Sequence, residues 1–396
     1  MSENKIVYLD YQSAKPVDQA VVDAMVPYMT EKFGNASSLH EVGDWSTDAL
    51  DASRKTIAGF VNAAEPEEII FTSGATESNN LALIGYAMRN KQKGNHIIIS
   101  EVEHISILNI VKFLQKNGFE VSRVPVDFTG TVRLDKLAER IQDDTILISI
   151  QYASNEIGTI QPIAEIGAMA RERGITFHVD AVAAEGLIPI DVQADQIDML
   201  TLSSNDIYGP RGVGALYFRR GVAINPQIIG GGQERGIRSG TEDVAGIVGF
   251  AKAAELAQAA MPWEPARLAA LRDRAIATVL ETVPRSHLNG HKENRLPNNA
   301  HFRFDFIEGE SMLLSFKGQG IAVSTGSACS SKTLEPSHTL MSLGLLHEEA
   351  HGSLEITLGR WTTDADIDRF LEVLPGVVQR LRDLSPLTKK EGECLV

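Results

Sequence analysis

The sequence predicts an α/β protein: a large domain on a mostly parallel sheet, then a smaller α+β domain. Short, near-continuous apolar runs at 68–72, 96–100 and 145–150 alternate with segments of helical period, the pattern of a parallel sheet covered on both faces. The texture changes beyond Thr241, where an Ala-rich stretch, 251–260, is broken at Pro262 and Pro265. The length, 396 residues, allows two substantial cores. The expected division is 17–262 for the large domain, 1–16 with 263–386 for the small one, and 387–396 for a disordered tail.

Taken in order, 7–10 reads as a short strand and Val17 begins an amphipathic helix reaching about Lys32. A second helix is expected over 42–61. Helical period marks 76–90, 105–115, 134–141 and 163–173, and strands are expected at 121–125, 176–179, 199–202 and 213–218. In the second domain, 267–283 and 364–384 read as helices and 298–306, 321–324 and 354–358 as strands. No internal repeat or low-complexity segment interrupts the chain.

The formal net charge is −15. With no basic cluster, nucleic acid and anionic membranes are disfavoured as partners. No apolar run reaches membrane-spanning length and the start does not read as a signal peptide, so a cytoplasmic protein is expected. Two cysteines, Cys329 and Cys394, make no disulfide framework. Cys394 sits in a polar tail. Cys329 lies in Ser324-Thr-Gly-Ser-Ala-Cys-Ser-Ser-Lys332, among small polar neighbours rather than the large apolar ones of a core cysteine. A thiol so placed suggests a nucleophile, a persulfide carrier or a metal ligand, with Lys332 favouring the thiolate.

Further segments carry possible chemistry. Phe71-Thr-Ser-Gly-Ala-Thr-Glu77 runs from strand through glycine into helix, leaving the amides of Ala75 and Thr76 free. It is either a phosphate site or an ordinary helix cap. His104, Asp180 and Ser203 each sit at or just after a strand end, where polar groups commonly face a cleft. For each, a satisfied or solvated polar residue is the plainer alternative. The glycine-dense stretch 230–241 contains two arginines and could equally be a surface loop. His347-Glu-Glu-Ala-His351 fits a zinc-binding spacing without a third ligand in view.

These motifs together resemble the cysteine desulfurases (NifS/IscS-like) of the class-V aminotransferase group. The resemblance runs from Tyr8-Leu-Asp10 to the last helix and includes Gly74-Ala-Thr-Glu77, Asn155, Asp180 in His-Val-Asp-Ala, Tyr208-Gly-Pro210 and Gly326-Ser-Ala-Cys329. It implies a fold-type-I pyridoxal-phosphate enzyme and a homodimer. Ala75, Thr76, His104, Asn155, Asp180 and Ser203 would surround the cofactor, and Thr241 would reach the phosphate across the dimer. Cys329 would carry sulfur to an iron–sulfur scaffold protein, or ligate an iron–sulfur cluster shared with it.

Working positions depart from the family. Asp206 stands where the family has the lysine that holds the cofactor, Asn205 where it has histidine, Ala183 where it has glutamine, and Glu355 where it has the arginine for the substrate carboxylate. A carboxylate forms no imine. Lys15 replaces a usual threonine. It either pairs with the Asp206 carboxylate as a charge swap or faces solvent. The leading expectation is therefore a desulfurase-like partner in iron–sulfur cluster assembly whose ordinary desulfuration is lost. The rivals are an active cysteine desulfurase with noncovalent pyridoxal phosphate, an interaction protein without chemistry, and, more distantly, a zinc hydrolase.

Overall fold

The computed structural model describes residues 6–325 and 336–386. Its centre is a seven-stranded sheet of β2 (Ile69–Thr72), β3 (His96–Ser100), β4 (Glu120–Val124), β5 (Thr145–Gln151), β6 (Thr176–Asp180), β7 (Met199–Ser203) and β8 (Gly214–Phe218), after the short β1 (Val7–Tyr8). The order is β2-β8-β7-β6-β5-β3-β4. Only β8 runs antiparallel to its neighbours, so the other six strands end on one side.

Alternation explains why these strands looked continuously apolar. Successive side chains point to opposite faces. Ile98, Ile148, Ile150, Leu200 and Leu202 join one buried cluster, whereas Ile97, Ile99, Leu147 and Met199 join another on the opposite face. The helix Val244–Ala260 packs into the first cluster through Ile247, Phe250 and a run of alanines. It begins at Val244, seven residues before the Ala-rich stretch read from sequence, and the Asp243 carboxylate caps it. The first helix likewise begins at Gln19, where Asp18 caps it, rather than at Val17.

The smaller unit holds a three-stranded antiparallel sheet, β9 (Ser286–Asn289), β10 (Asn299–Phe304) and β12 (Ser353–Thr357), in the order β12-β10-β9. β1 pairs with β11 (Ile321–Ala322) beside it. Its core gathers Leu9, Phe302, Phe304, Phe316 and Phe370, with the last two rings stacked at 5.5 Å. Among the described residues no single helix is long and apolar enough to cross a membrane. The pair Val244–Ala260 and Glu264–Thr282 reaches that length only together, and is bent by 71°.

Both arginines of the glycine-dense loop are anchored, as is its neighbour Glu234. Arg235 donates to the carbonyls of Glu67 and Ile69, and Arg238 pairs with Glu77 at 3.0 Å. Glu234 accepts both Arg54 amino groups and the Phe71 amide. The Arg54 and Glu234 side chains are 10% and 3% exposed, so removing one strands the other's charge in the interior. Arg54→Ala is expected to lower stability by about 3–5 kcal/mol in denaturant titration. A loss under about 1 kcal/mol would match an exposed pair instead.

Candidate active site

The strand ends open on a cavity of about 410 Å³. This is where an open α/β sheet places its ligands. At one end the chain leaves β2 and turns at Gly74, whose φ of +139° a side chain would strain. The helix then starts with Ala75 and continues through a π turn at Leu81–Gly85 to Asn90. No side chain caps Gly74, so the first amides are left for a ligand. Of the two readings of this segment, the ordinary side-chain cap is thus not realised. Thr72 instead binds Ser78 at 2.7 Å.

Asp180, at the end of β6, is 7% exposed. Its carboxylate accepts from the Asn79 side chain at 2.8 Å and from the Val182 amide at 3.2 Å. Those two bonds aim it into the cavity and hold it there. His104 caps the helix Ile105–Lys116, and its Nδ1 accepts from the Ser106 amide. Its proton is therefore on Nε2 when the ring is neutral. The structure brings Ala75, Thr76, His104, Asn155, Asp180 and Ser203 to one cavity, and with them Ala183, Asn205, Asp206 and Glu355. Thr241 is exposed and lies outside the cavity of its own chain. Cys329 lies outside the described residues, although Ser324 and Thr325 before it line the cavity. The His347 and His351 rings lie 4.7 Å apart, tilted by 57°, on a short helix. Among the described residues no group of three or more metal-ligating side chains is assembled.

After β7 the chain makes a 3₁₀ turn, Ser204–Ile207, and Tyr208 follows at φ +66°. That left-handed residue is held by its own side chain. Its hydroxyl accepts from the Arg360 amide, and its ring lies against the Arg360 guanidinium at 4.5 Å. Gly209 is required because a side chain there would meet Ser204 Oγ at 2.1 Å. The turn presents Ser203, Asn205 and Asp206 as a relay. Ser203 Oγ donates to Asn205 at 3.0 Å, and Asn205 donates to the Asp206 carboxylate at 2.9 Å. Ser204, between them in sequence, is fully buried and does not line the cavity.

Lys15 corrects both sequence readings of it. It is only 7% exposed, so it does not face solvent. Nor does it ion-pair directly with the Asp206 carboxylate: its ammonium donates to the Asp206 main-chain carbonyl. The amine thus sits against the back of the turn whose front carries the carboxylate. Burial lowers its pKa, opposed by the charges of Asp206, Glu185 and Glu264. Glu185 lies beneath the same turn. One of its oxygens accepts from the Ser203 amide at 2.8 Å, and the other has no hydrogen-bond partner among the described residues. Burial and then Asp206 raise its pKa, and burial likewise raises that of Asp206.

Sequence reasoning missed the carboxyls that flank the site. Glu156 is 6% exposed and lines the cavity. Its neighbours Asn155 and Gly158 carried the signal, but a glutamate in a turn reads as solvated. Among the described residues lining the cavity there is no lysine or arginine, against Glu77, Glu156, Asp180, Asp206 and Glu355.

The residues fit pyridoxal phosphate held without a covalent link. Free helix amides suit a phosphate, buried Asp180 suits a protonated ring nitrogen, and His104 offers a ring edge to the same space. No amine among the described lining residues faces the cavity to form an imine.

Comparisons place this geometry. The family described as "Aminotransferase class-V" matches residues 7–370. The chain is 58% identical over 383 residues to "Cysteine desulfurase IscS 1" of Archaeoglobus fulgidus, covering 97% of this chain and 100% of that protein. It is 53% identical over 394 residues to "Cysteine desulfurase IscS" of Methanosarcina thermophila, covering 100% and 97%. A solved structure, "NIFS-LIKE PROTEIN", superposes with TM-score 0.89 at 34% identity over 95% of this chain and 100% of that one. This overturns the expectation that ordinary desulfuration is lost, since full-length relatives this similar are cysteine desulfurases. The four departures therefore call for an account of how the site works.

Glu156 sets a pH signature. Burial pushes its carboxyl up to about 7, from an ordinary 4.5, against the Ser337 and Thr339 hydrogen bonds. The folded chain keeps that proton where the unfolded chain has released it. The stabilisation is complete below 4.5 and is lost as pH rises through about 7. Denaturant midpoints should fall between pH 5 and 8, and Glu156→Gln should remove up to about 3 kcal/mol of that fall. An unchanged slope in the variant would contradict this.

Proposed function

On the premise that this chain belongs to the class-V aminotransferase family, in its cysteine desulfurase branch, we propose that it takes sulfur from L-cysteine with noncovalently held pyridoxal phosphate. The observation that carries this is the cavity itself: a phosphate-ready helix start and a buried Asp180 converge, while Asp206 stands where the lysine is expected. Pyridoxal phosphate, when bound, supplies an electron sink for negative charge developing on the substrate.

The amides of Ala75 and Thr76 would hold the phosphate. Asp180 would accept a hydrogen bond from the protonated ring nitrogen, with His104 against the ring and Asn155 and Ser203 as polar contacts. Asp206 would give or take a proton at its carboxyl oxygen, on the side where the family keeps its amine. Burial raises its pKa and keeps such a proton available. The Lys15 ammonium behind the turn limits how far the carboxyl is driven neutral.

The Cys329 thiolate would attack the substrate sulfur. The Cβ–S bond breaks and its electron pair stays on Cβ, which takes a proton. Products are L-alanine and a persulfide on Cys329. In this reading the chain is a homodimer, with Thr241 crossing to the second subunit's site. The persulfide sulfur passes to an iron–sulfur scaffold protein, and the setting is cytoplasmic. Cys329→Ala should leave no persulfide on the chain and no alanine above background when cysteine and pyridoxal phosphate are supplied. Undiminished alanine formation by that variant would sink the assignment.

A further inference from the structure

An acid stands at the phosphate end of the cavity. The helix that starts at Ala75 carries Glu77 in its first turn, and Glu77 lines the cavity with Ala75 and Thr76. One of its oxygens reaches back and accepts from the Ser73 amide at 2.8 Å. That bond spans Gly74 and pins the turn from which the Ala75 and Thr76 amides emerge. Burial disfavours the charge on Glu77, but hydrogen bonds from Arg238 and Ser73 outweigh it and hold its pKa below the ordinary 4.5. Glu77 is therefore a carboxylate at neutral pH, one residue beyond amides offered to an anion. Such a charge suits the helix dipole, yet it repels a phosphate bound at the same end.

Arg238 answers that charge. Its Nε and one amino group meet the two Glu77 oxygens at 3.0 and 3.5 Å, and the two side chains are 22% and 14% exposed. The fork of a guanidinium matches both oxygens of a carboxylate. The loop beneath Arg238 is itself closed. Arg238 bridges Ile228, the Ser239 hydroxyl accepts from the Gly232 amide, and the Gln233 side chain accepts from the Gly240 amide. Glu234 and Arg235 fasten the same loop to Phe71, Glu67 and Ile69, in and just before β2. The guanidinium is thus in place at Glu77 before any ligand arrives, so little ordering is left for binding to supply.

We propose that Arg238 is a positioning residue of the phosphate site, acting through Glu77. It cancels the carboxylate's charge, so that Glu77 can pin the Gly74 turn without repelling the phosphate. The inference deepens the reading in which pyridoxal phosphate is held without a covalent link, and rests on it for the identity of the ligand. Where no bond joins cofactor to chain, affinity comes from such noncovalent terms alone.

The test is calorimetric titration of the full chain with pyridoxine phosphate, which lacks the aldehyde and so reports binding only. Arg238→Met should weaken binding at least about tenfold, because the Glu77 charge is left bare. Glu77→Gln keeps an oxygen for the Ser73 amide and leaves no charge to cancel, so it should bind as tightly as the unaltered chain or tighter. The decisive form carries both substitutions and should recover to within about threefold of the unaltered chain. A merely structural Arg238, or one that touches the phosphate itself, would leave the double variant as weak as Arg238→Met, and that result would overturn the proposal. So would undiminished binding by Arg238→Met, a comparable loss in Glu77→Gln alone, or no binding by the unaltered chain. Alanine formation from L-cysteine, with pyridoxal phosphate present, is followed separately. If the binding pattern holds and no alanine appears, the role of Arg238 stands and the desulfurase reading falls.

Discussion

Carboxyl groups withdrawn from water must keep their protons or find positive charge nearby, and the strand-end turn at Ser203–Tyr208 is arranged around that constraint. The carboxylate of Asp206 looks into the cavity, and Glu185 lies buried beneath it. Among the described residues the amine close to both, Lys15, is applied to the main chain of the turn from behind. A cation there tempers the field at the turn without entering the space a ligand needs. The cavity keeps an acidic lining because its balancing charge is under its floor.

The same turn couples the two units of the chain. Arg360, just after β12, stacks on Tyr208, donates its amide to the Tyr208 hydroxyl, and pairs with Asp18 at 2.9 Å and Glu264 at 3.2 Å. Trp361 meets Tyr208 edge-on at 5.1 Å. The left-handed backbone at Tyr208 is thereby fixed by contacts from the small unit. Residues that present Asp206 and those that present Glu355 thus share one set of supports.

Much of this was legible in the sequence. The alternating apolar runs announced the sheet, because strands buried on both faces leave few polar gaps. Gly74 announced the turn into the helix at one end of the cavity, since its φ of +139° would strain a side chain. Polar residues at strand ends, Asp180 and Ser203, did face the cleft. What sequence could not show was direction. Lys15 is a lysine in a loop, and nothing local says that burial turns its amine toward the carbonyl of Asp206 rather than its side chain. Glu156 went unread for a similar reason: it lines the cavity, yet nothing local distinguishes it from a solvated glutamate in a turn. Which polar residue of a turn meets the cavity depends on how the turn is seated. The meaning of Asp206 was also misjudged: a missing amine was read as missing chemistry, whereas similar full-length proteins are cysteine desulfurases.

The central claim is that the cofactor is retained by the phosphate end and Asp180 without a bond to the chain. Its most direct test is the intact mass of the protein after incubation with pyridoxal phosphate and reduction with borohydride, under conditions where alanine is being formed from cysteine. The account predicts the unmodified mass alongside measurable alanine. A stoichiometric pyridoxyl adduct on any lysine, Lys15 above all, would contradict it.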